Sequence, residues 1–110
     1  MTDALVVLVT TPTAERAAEI ARALVEERLA ACGNVVPAIR SVYRWEGKIQ
    51  DDQEALLVLK TTRERFEALR ERVLSLHPYQ VPEVIALPIE AGSAPYLAWI
   101  AAETAPAPGG

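Results

Sequence analysis

The stretch 35–61, "VVPAIRSVYRWEGKIQDDQEALLVLKT", constrains the fold more than any other part of the chain. Two strand-like runs flank "EGK" (46–48), which supplies a turn. In the outgoing run Ile39, Ser41, Tyr43 and Trp45 share one face, and Arg40, Val42 and Arg44 the other. The returning run, 49–61, is polar first and then strongly apolar. At about 3.3 Å per residue, arms of about ten residues reach roughly 33 Å. That is long for so small a domain, so the tip is expected to dock on another subunit.

The flanking segments fit around this hairpin. "ALVVLVT" (4–10) is an apolar, β-branched run and predicts a buried strand. "TPT" (11–13) opens a helix, with Thr11 or Thr13 as the N-cap. Its stripe is Ala17, Ile20, Ala21 and Leu24, and it is expected to stop at "CGN", with Gly33 or Asn34 as a left-handed C-cap. Thr61 or Thr62 opens a second helix, and Thr61 with Glu64 has capping-box spacing. Phe66, Leu69, Val73 and Leu76 form its stripe, and Pro78 ends it at His77. "VPEVIALPI" (81–89) predicts a strand whose prolines suit its ends or a sheet edge. A last helix, 94–104, turns Leu97, Ile100 and Ala101 inward, and "APAPGG" (105–110) is a flexible tail. The order β-α-β-β-α-β-α begins with the elements of the ferredoxin-like split βαβ. The expectation is an α+β fold in one domain over 1–104.

Charge narrows the partners. Lys and Arg number 11 against 15 Asp and Glu, for a net charge of −4, and the basic residues interleave with acids. Nucleic acid is therefore not an expected partner. No segment approaches the roughly 20 apolar residues that span a bilayer, so no membrane insertion is expected. Cys32 is the only cysteine, which rules out an intramolecular disulfide. The start, "MTDALVVLVTTPT", has an acid where a secretory leader needs positive charge, so the cytoplasm is the expected location.

His77, the only histidine, sits before a proline. It suits a metal ligand or proton carrier, or else a helix-ending ring that bonds a backbone carbonyl. Cys32 suits a soft ligand for copper or a small buried hydrophobe. Together they make at most half of a tetrahedral shell, so subunits would have to pool ligands, or water and carboxylates complete it. Tyr43 and Trp45 on a projecting hairpin suit a subunit contact or ordinary sheet packing. Asp51, Asp52 and Glu54 follow the turn and suit a hard cation or a solvated hairpin tip; adjacent strand residues point to opposite faces, which favours the tip. Lys60, at the end of a buried strand, reaches solvent or pairs with an acid such as Glu83. A cluster of Lys60, Glu83 and His77 in a cleft would be a site candidate. There is no glycine-rich phosphate loop and no nucleophile–base pair, so no catalytic residue is assigned and no enzyme is expected.

Four segments carry a family resemblance: "ALVEERLAACGNVVP" (23–37), "SVYRWEGKIQDDQEALLVLKTT" (41–62), "HPYQVPEVIALPIEAG" (77–92) and "YLAWI" (96–100). Over residues 4–103 the chain resembles the divalent-cation tolerance family, CutA. The resemblance implies a ferredoxin-like, PII-like homotrimer held by its long hairpins and edge strands. It implies a role in tolerance of copper and other divalent cations, without established catalysis. The family's recurrent polar and aromatic positions fall here on Cys32, Asn34, Tyr43, Trp45, Glu46, Lys60, His77, Tyr79 and Glu83, which would line inter-subunit clefts. The expected site is such a cleft, with His77, Tyr79 and Glu83 on one wall and Cys32, Tyr43, Trp45 and Lys60 near by. Copper would bind weakly through His77 and Cys32. The copper-site pattern of some members is altered, because Val9 stands at a cysteine position and Leu76-His77 at a His-His pair. Gly33 replaces a more usual apolar residue, with an effect expected only on local backbone freedom. The alternative function is a PII-like signalling or scaffold trimer whose clefts take an anionic metabolite or a partner protein, with Lys60, Arg40 and Arg44 as the recognising charges.

Overall fold

The computed structural model describes residues 2–106. The elements are β1 (Ala4–Thr11), α1 (Ala14–Glu26), β2 (Cys32–Trp45), β3 (Lys48–Thr62), α2 (Arg63–Leu76), β4 (Ile85–Pro88) and α3 (Ala94–Glu103). The strands form one antiparallel sheet in the order β2-β3-β1-β4. This is the α+β, ferredoxin-like arrangement with one further helix at its end.

Alternation along the strands builds the core. Val7 and Val9 of β1 and Ala55, Leu57 and Leu59 of β3 are buried on one face. They pack against Ala17, Ile20, Ala21 and Leu24 of α1 and Leu69 and Val73 of α2. The opposite face carries Val6, Leu8, Leu56 and Val58, half-buried, and Val36, Ile85 and Leu87, exposed. A separate small cluster joins Ile100 of α3 to Ala4, Ala31, Ile89 and Leu97. Among the described residues no helix is long and apolar enough to cross a membrane.

The caps settle two alternatives. The Thr13 side chain accepts from the Arg16 N–H, so Thr13 caps α1, while the Thr11 hydroxyl donates to the Thr13 carbonyl. For α2 the N-cap is Thr62. Thr61 is buried and donates its hydroxyl to the Leu29 carbonyl at 2.7 Å, so the expected capping box does not form. His77 is extended, at φ −83° and ψ 138°, as the residue before a proline prefers.

Three features differ from the sequence reading. First, α1 ends at Glu26, well before "CGN". The left-handed position falls on Arg28, at φ 60°, whose guanidinium donates to the carbonyls of Ala102 and Ala105 at 3.0 and 3.1 Å. Gly33 therefore lies inside β2, where a Cβ would come 2.8 Å from the Ala21 Cβ and 3.1 Å from Leu59. It sets the close approach of α1 to the sheet, more than a local backbone freedom. Second, β4 covers 85–88 and not 81–89. Pro82 can donate nothing to a ladder, and the chain there is still climbing to the sheet edge. Third, Ala101 faces outward in α3 while Ile100 is buried. The tail expected over 105–110 lies, from 107 on, outside the described residues.

The hairpin is as long as its sequence demands. β2 and β3 pair from Cys32 opposite Lys60 to Trp45 opposite Lys48, with a register shift between Val36 and Ile39. That bulge accommodates Pro37, which has no N–H to give. Glu46 and Gly47, at φ 51° and 77°, close the two-residue turn, the conformation that matches strand twist. The molecule extends 47 Å along its longest axis against 30 and 22 Å across.

Candidate functional site

A groove of about 820 Å³ runs between the hairpin and the segment that follows α2, lined among others by Thr10, Tyr43, Trp45, Glu54, Tyr79 and Glu83. Three parts of the chain build it. β2 brings Tyr43 and Trp45, β3 brings Glu54, and the turn after Pro78 brings Tyr79 and Glu83.

Hydrogen bonds tie these parts together. The Tyr79 hydroxyl donates to Glu54 Oε2 at 2.6 Å, and the Tyr43 hydroxyl donates to Asp52 Oδ2 at 2.7 Å. Tyr43 lies opposite Gln50, so Asp52 is its diagonal cross-strand neighbour. Burial, then the Glu54 hydrogen bond, pushes the Tyr79 phenol far above the ordinary tyrosine value, with smaller contributions from the nearby Tyr43 and Asp52. The Asp52 hydrogen bond likewise raises Tyr43. Arg40 also lines the groove, but its guanidinium donates to both oxygens of Asp51, at 2.9 and 2.7 Å. That pairing holds Asp51 below the usual carboxylate value.

His77 holds Tyr79 in place. Its Nδ1 accepts the Tyr79 N–H at 3.1 Å, which leaves the proton on Nε2 to donate to the Thr10 carbonyl at 2.7 Å. Its ring lies 4.7 Å from that of Tyr79, tilted by 48°. Both nitrogens thus serve the backbone, and a metal at either would have to displace one of these bonds.

Cys32 and Lys60 lie elsewhere, as opposite partners near the start of β2. Lys60 Nζ donates to Asn34 Oδ1, and Cys32 Sγ is 3.8 Å from the Tyr96 hydroxyl and 4.0 Å from Asn34 Oδ1. The contact with Cys32, then burial, raises the Tyr96 phenol. Lys60 therefore does not pair with Glu83, and the expected cluster of Lys60, Glu83 and His77 is not formed: His77 bonds Thr10, at the far end of β1 from Val6, the partner of Lys60. Among the described residues no three His, Cys, Asp or Glu side chains converge as a metal-ligating group.

The expected residues thus divide between two places: Tyr43, Trp45, Tyr79 and Glu83 at the groove with His77 buried behind Tyr79, and Cys32 and Lys60 near the start of β2, Cys32 against Tyr96 of α3. Sequence reasoning left Glu54 on a solvated tip, yet it is 7% exposed and sits at the groove wall. The available signal was its place immediately before the buried run that starts at Ala55. Tyr96 as the neighbour of Cys32 had no local signal, since 64 residues separate them.

Comparison with known proteins fits this architecture. The family of CutA1 divalent ion tolerance proteins matches residues 5–103. A divalent-cation tolerance protein CutA of Thermus thermophilus is 57% identical over 99 residues, 90% of this chain and 96% of that protein. The chloroplastic protein CutA of Arabidopsis thaliana is 53% identical over 96 residues, 87% of this chain, which spans about half (53%) of that longer protein. The solved divalent cation tolerance protein of Thermus thermophilus superposes with a TM-score of 0.90 at 55% identity, covering 93% of this chain and 99% of that one. Sequence and backbone agree over nearly the whole chain, and the chain belongs to the CutA1 divalent ion tolerance family.

Proposed function

We propose that the protein serves divalent-cation tolerance as a non-enzymatic, cytoplasmic homotrimer of one domain per chain, interlocked through its β2–β3 arms, with the groove as its recognition cleft at the seams between copies. The observation that carries this reading is the apolar hairpin tip. Val42 and Ile49 are 64% and 62% exposed, on the face of the hairpin opposite Tyr43 and Trp45. Exposed apolar surface of this kind marks an interaction site. Copper or another divalent cation would bind weakly, through ligands pooled between copies: the carboxylates of the cleft, and Cys32 or His77 where a neighbour reaches them. The carboxylates facing the groove weigh against the PII-like alternative of an anionic ligand in this cleft.

Sedimentation equilibrium at micromolar concentration tests the assembly. The expected mass is three times that of one chain, and a compact monomer overturns the reading. Calorimetric titration with copper(II) and zinc(II) tests the cleft. Weak binding that falls in Tyr79→Ala, Cys32→Ser or His77→Ala supports it, and binding unchanged in all three removes these residues from metal recognition.

A further inference from the structure

Glu54 carries a charge without a counter-charge. Its side chain is 7% exposed, and the hydroxyl of Tyr79 is its hydrogen-bond donor. Among the described residues no Lys, Arg or His forms an ion pair with it. Buried carboxylates are ordinarily paired, because desolvation of an isolated charge is costly. Asp52 adds a second negative group held by a tyrosine hydroxyl, and Glu83 a third at the groove wall. The groove's own cation, Arg40, is committed to Asp51. The free charge facing the groove is therefore negative.

The same groove presents three aromatic rings, of Tyr43, Trp45 and Tyr79, exposed by 42%, 43% and 37%. Aromatic faces attract ammonium groups through the ring quadrupole. They offer nothing to a small divalent ion, which needs several converging oxygens. The volume of about 820 Å³ is that of a small-molecule site and far exceeds a single ion.

We infer that the groove binds an organic ammonium ion, its charged head set among the rings of Tyr43, Trp45 and Tyr79 and neutralised by Glu54 and Asp52, with a short apolar tail towards Val81. The inference rests on the groove being the recognition cleft. It adds a second class of cation, an amine that would compete with a metal for the same carboxylates.

The test uses the full-length Trp99→Phe protein, which leaves Trp45 as the only tryptophan. Trp45 emission is followed during titration with n-butylammonium chloride and, separately, with n-butanol, its neutral analogue, at constant ionic strength. The expected result is a saturable change with n-butylammonium, at least about tenfold tighter than with n-butanol, the scale of a desolvated cation–aromatic contact. Glu54→Gln should remove about that factor, while Tyr79→Phe, which keeps the ring and both carboxylates, should retain binding. Equal responses to the two probes, or no response to n-butylammonium, overturn the proposal. Should Glu54→Gln fail to fold, the ratio between the two probes in the Trp99→Phe protein decides alone. A silent n-butylammonium titration beside a copper response sensitive to Tyr79→Ala overturns the ammonium site and leaves the cleft standing. Silence in both overturns the two together.

Discussion

Gly33 is the residue at which the helix and sheet layers come nearest. The atom that a Cβ would meet is the Ala21 Cβ, a short side chain on a helix that cannot rotate away. Gly33→Ala should therefore cost about 1–3 kcal/mol, the usual range for overpacking. Thermal melting should show this as a clear drop, at about 4–8 °C per kcal/mol for a domain near this size. The tyrosines give a second prediction at the same scale. Tyr43, Tyr79 and Tyr96 are the three tyrosines, and each is raised above its ordinary value. A hydroxyl with a raised folded value contributes its full stability below about pH 10, the ordinary tyrosine value. That contribution is lost as pH climbs further, because the unfolded chain deprotonates first. Absorbance at 295 nm should show little ionisation near pH 10 in the folded protein, with Tyr79 last, and stability should decline above that pH. A third concerns His77. His77→Ala leaves the Tyr79 N–H without its acceptor and should cost about 1–3 kcal/mol. Looser positioning of Tyr79 should accompany it, measured as faster hydrogen exchange at the Tyr79 amide.

Elements were legible where a local rule acts alone. The Thr-Pro-Thr start of α1, the proline stop of α2 and the turn at 46–47 follow from capping, steric exclusion and twist. The end of α1 was not legible, because Arg28 takes a left-handed conformation that is held by carbonyls 74 and 77 residues away. The burial of Glu54 was hidden for the same reason: its cover, Tyr79, arrives from 25 residues on. Groove residues on the hairpin could be placed on a face from alternation, but which other segment meets that face is a tertiary fact. The turn itself allows a sharp test. Gly47 has φ 77° with open space around it, so Gly47→Ala meets backbone strain and no clash. The expected cost is about 1–2 kcal/mol, read as a lower denaturant midpoint at unchanged slope.

At the scale of the whole molecule the hairpin decides behaviour. A chain 47 Å long and 22 Å thick exposes Val42 and Ile49 at the end of its longest element. Replacing both with Asp should leave the core of β1, β3, α1 and α2 intact and abolish the proposed assembly, seen as a single-chain mass in sedimentation with an unchanged far-ultraviolet spectrum. β2 stands at one border of the sheet, hydrogen-bonded on one side only, along fourteen residues from Cys32 to Trp45. Such a border is a template on which any extended segment can crystallise into further sheet. An open border of this length makes unpartnered copies hazardous to one another, so raising the chain concentration during refolding should favour precipitates, and dilution should favour soluble single chains.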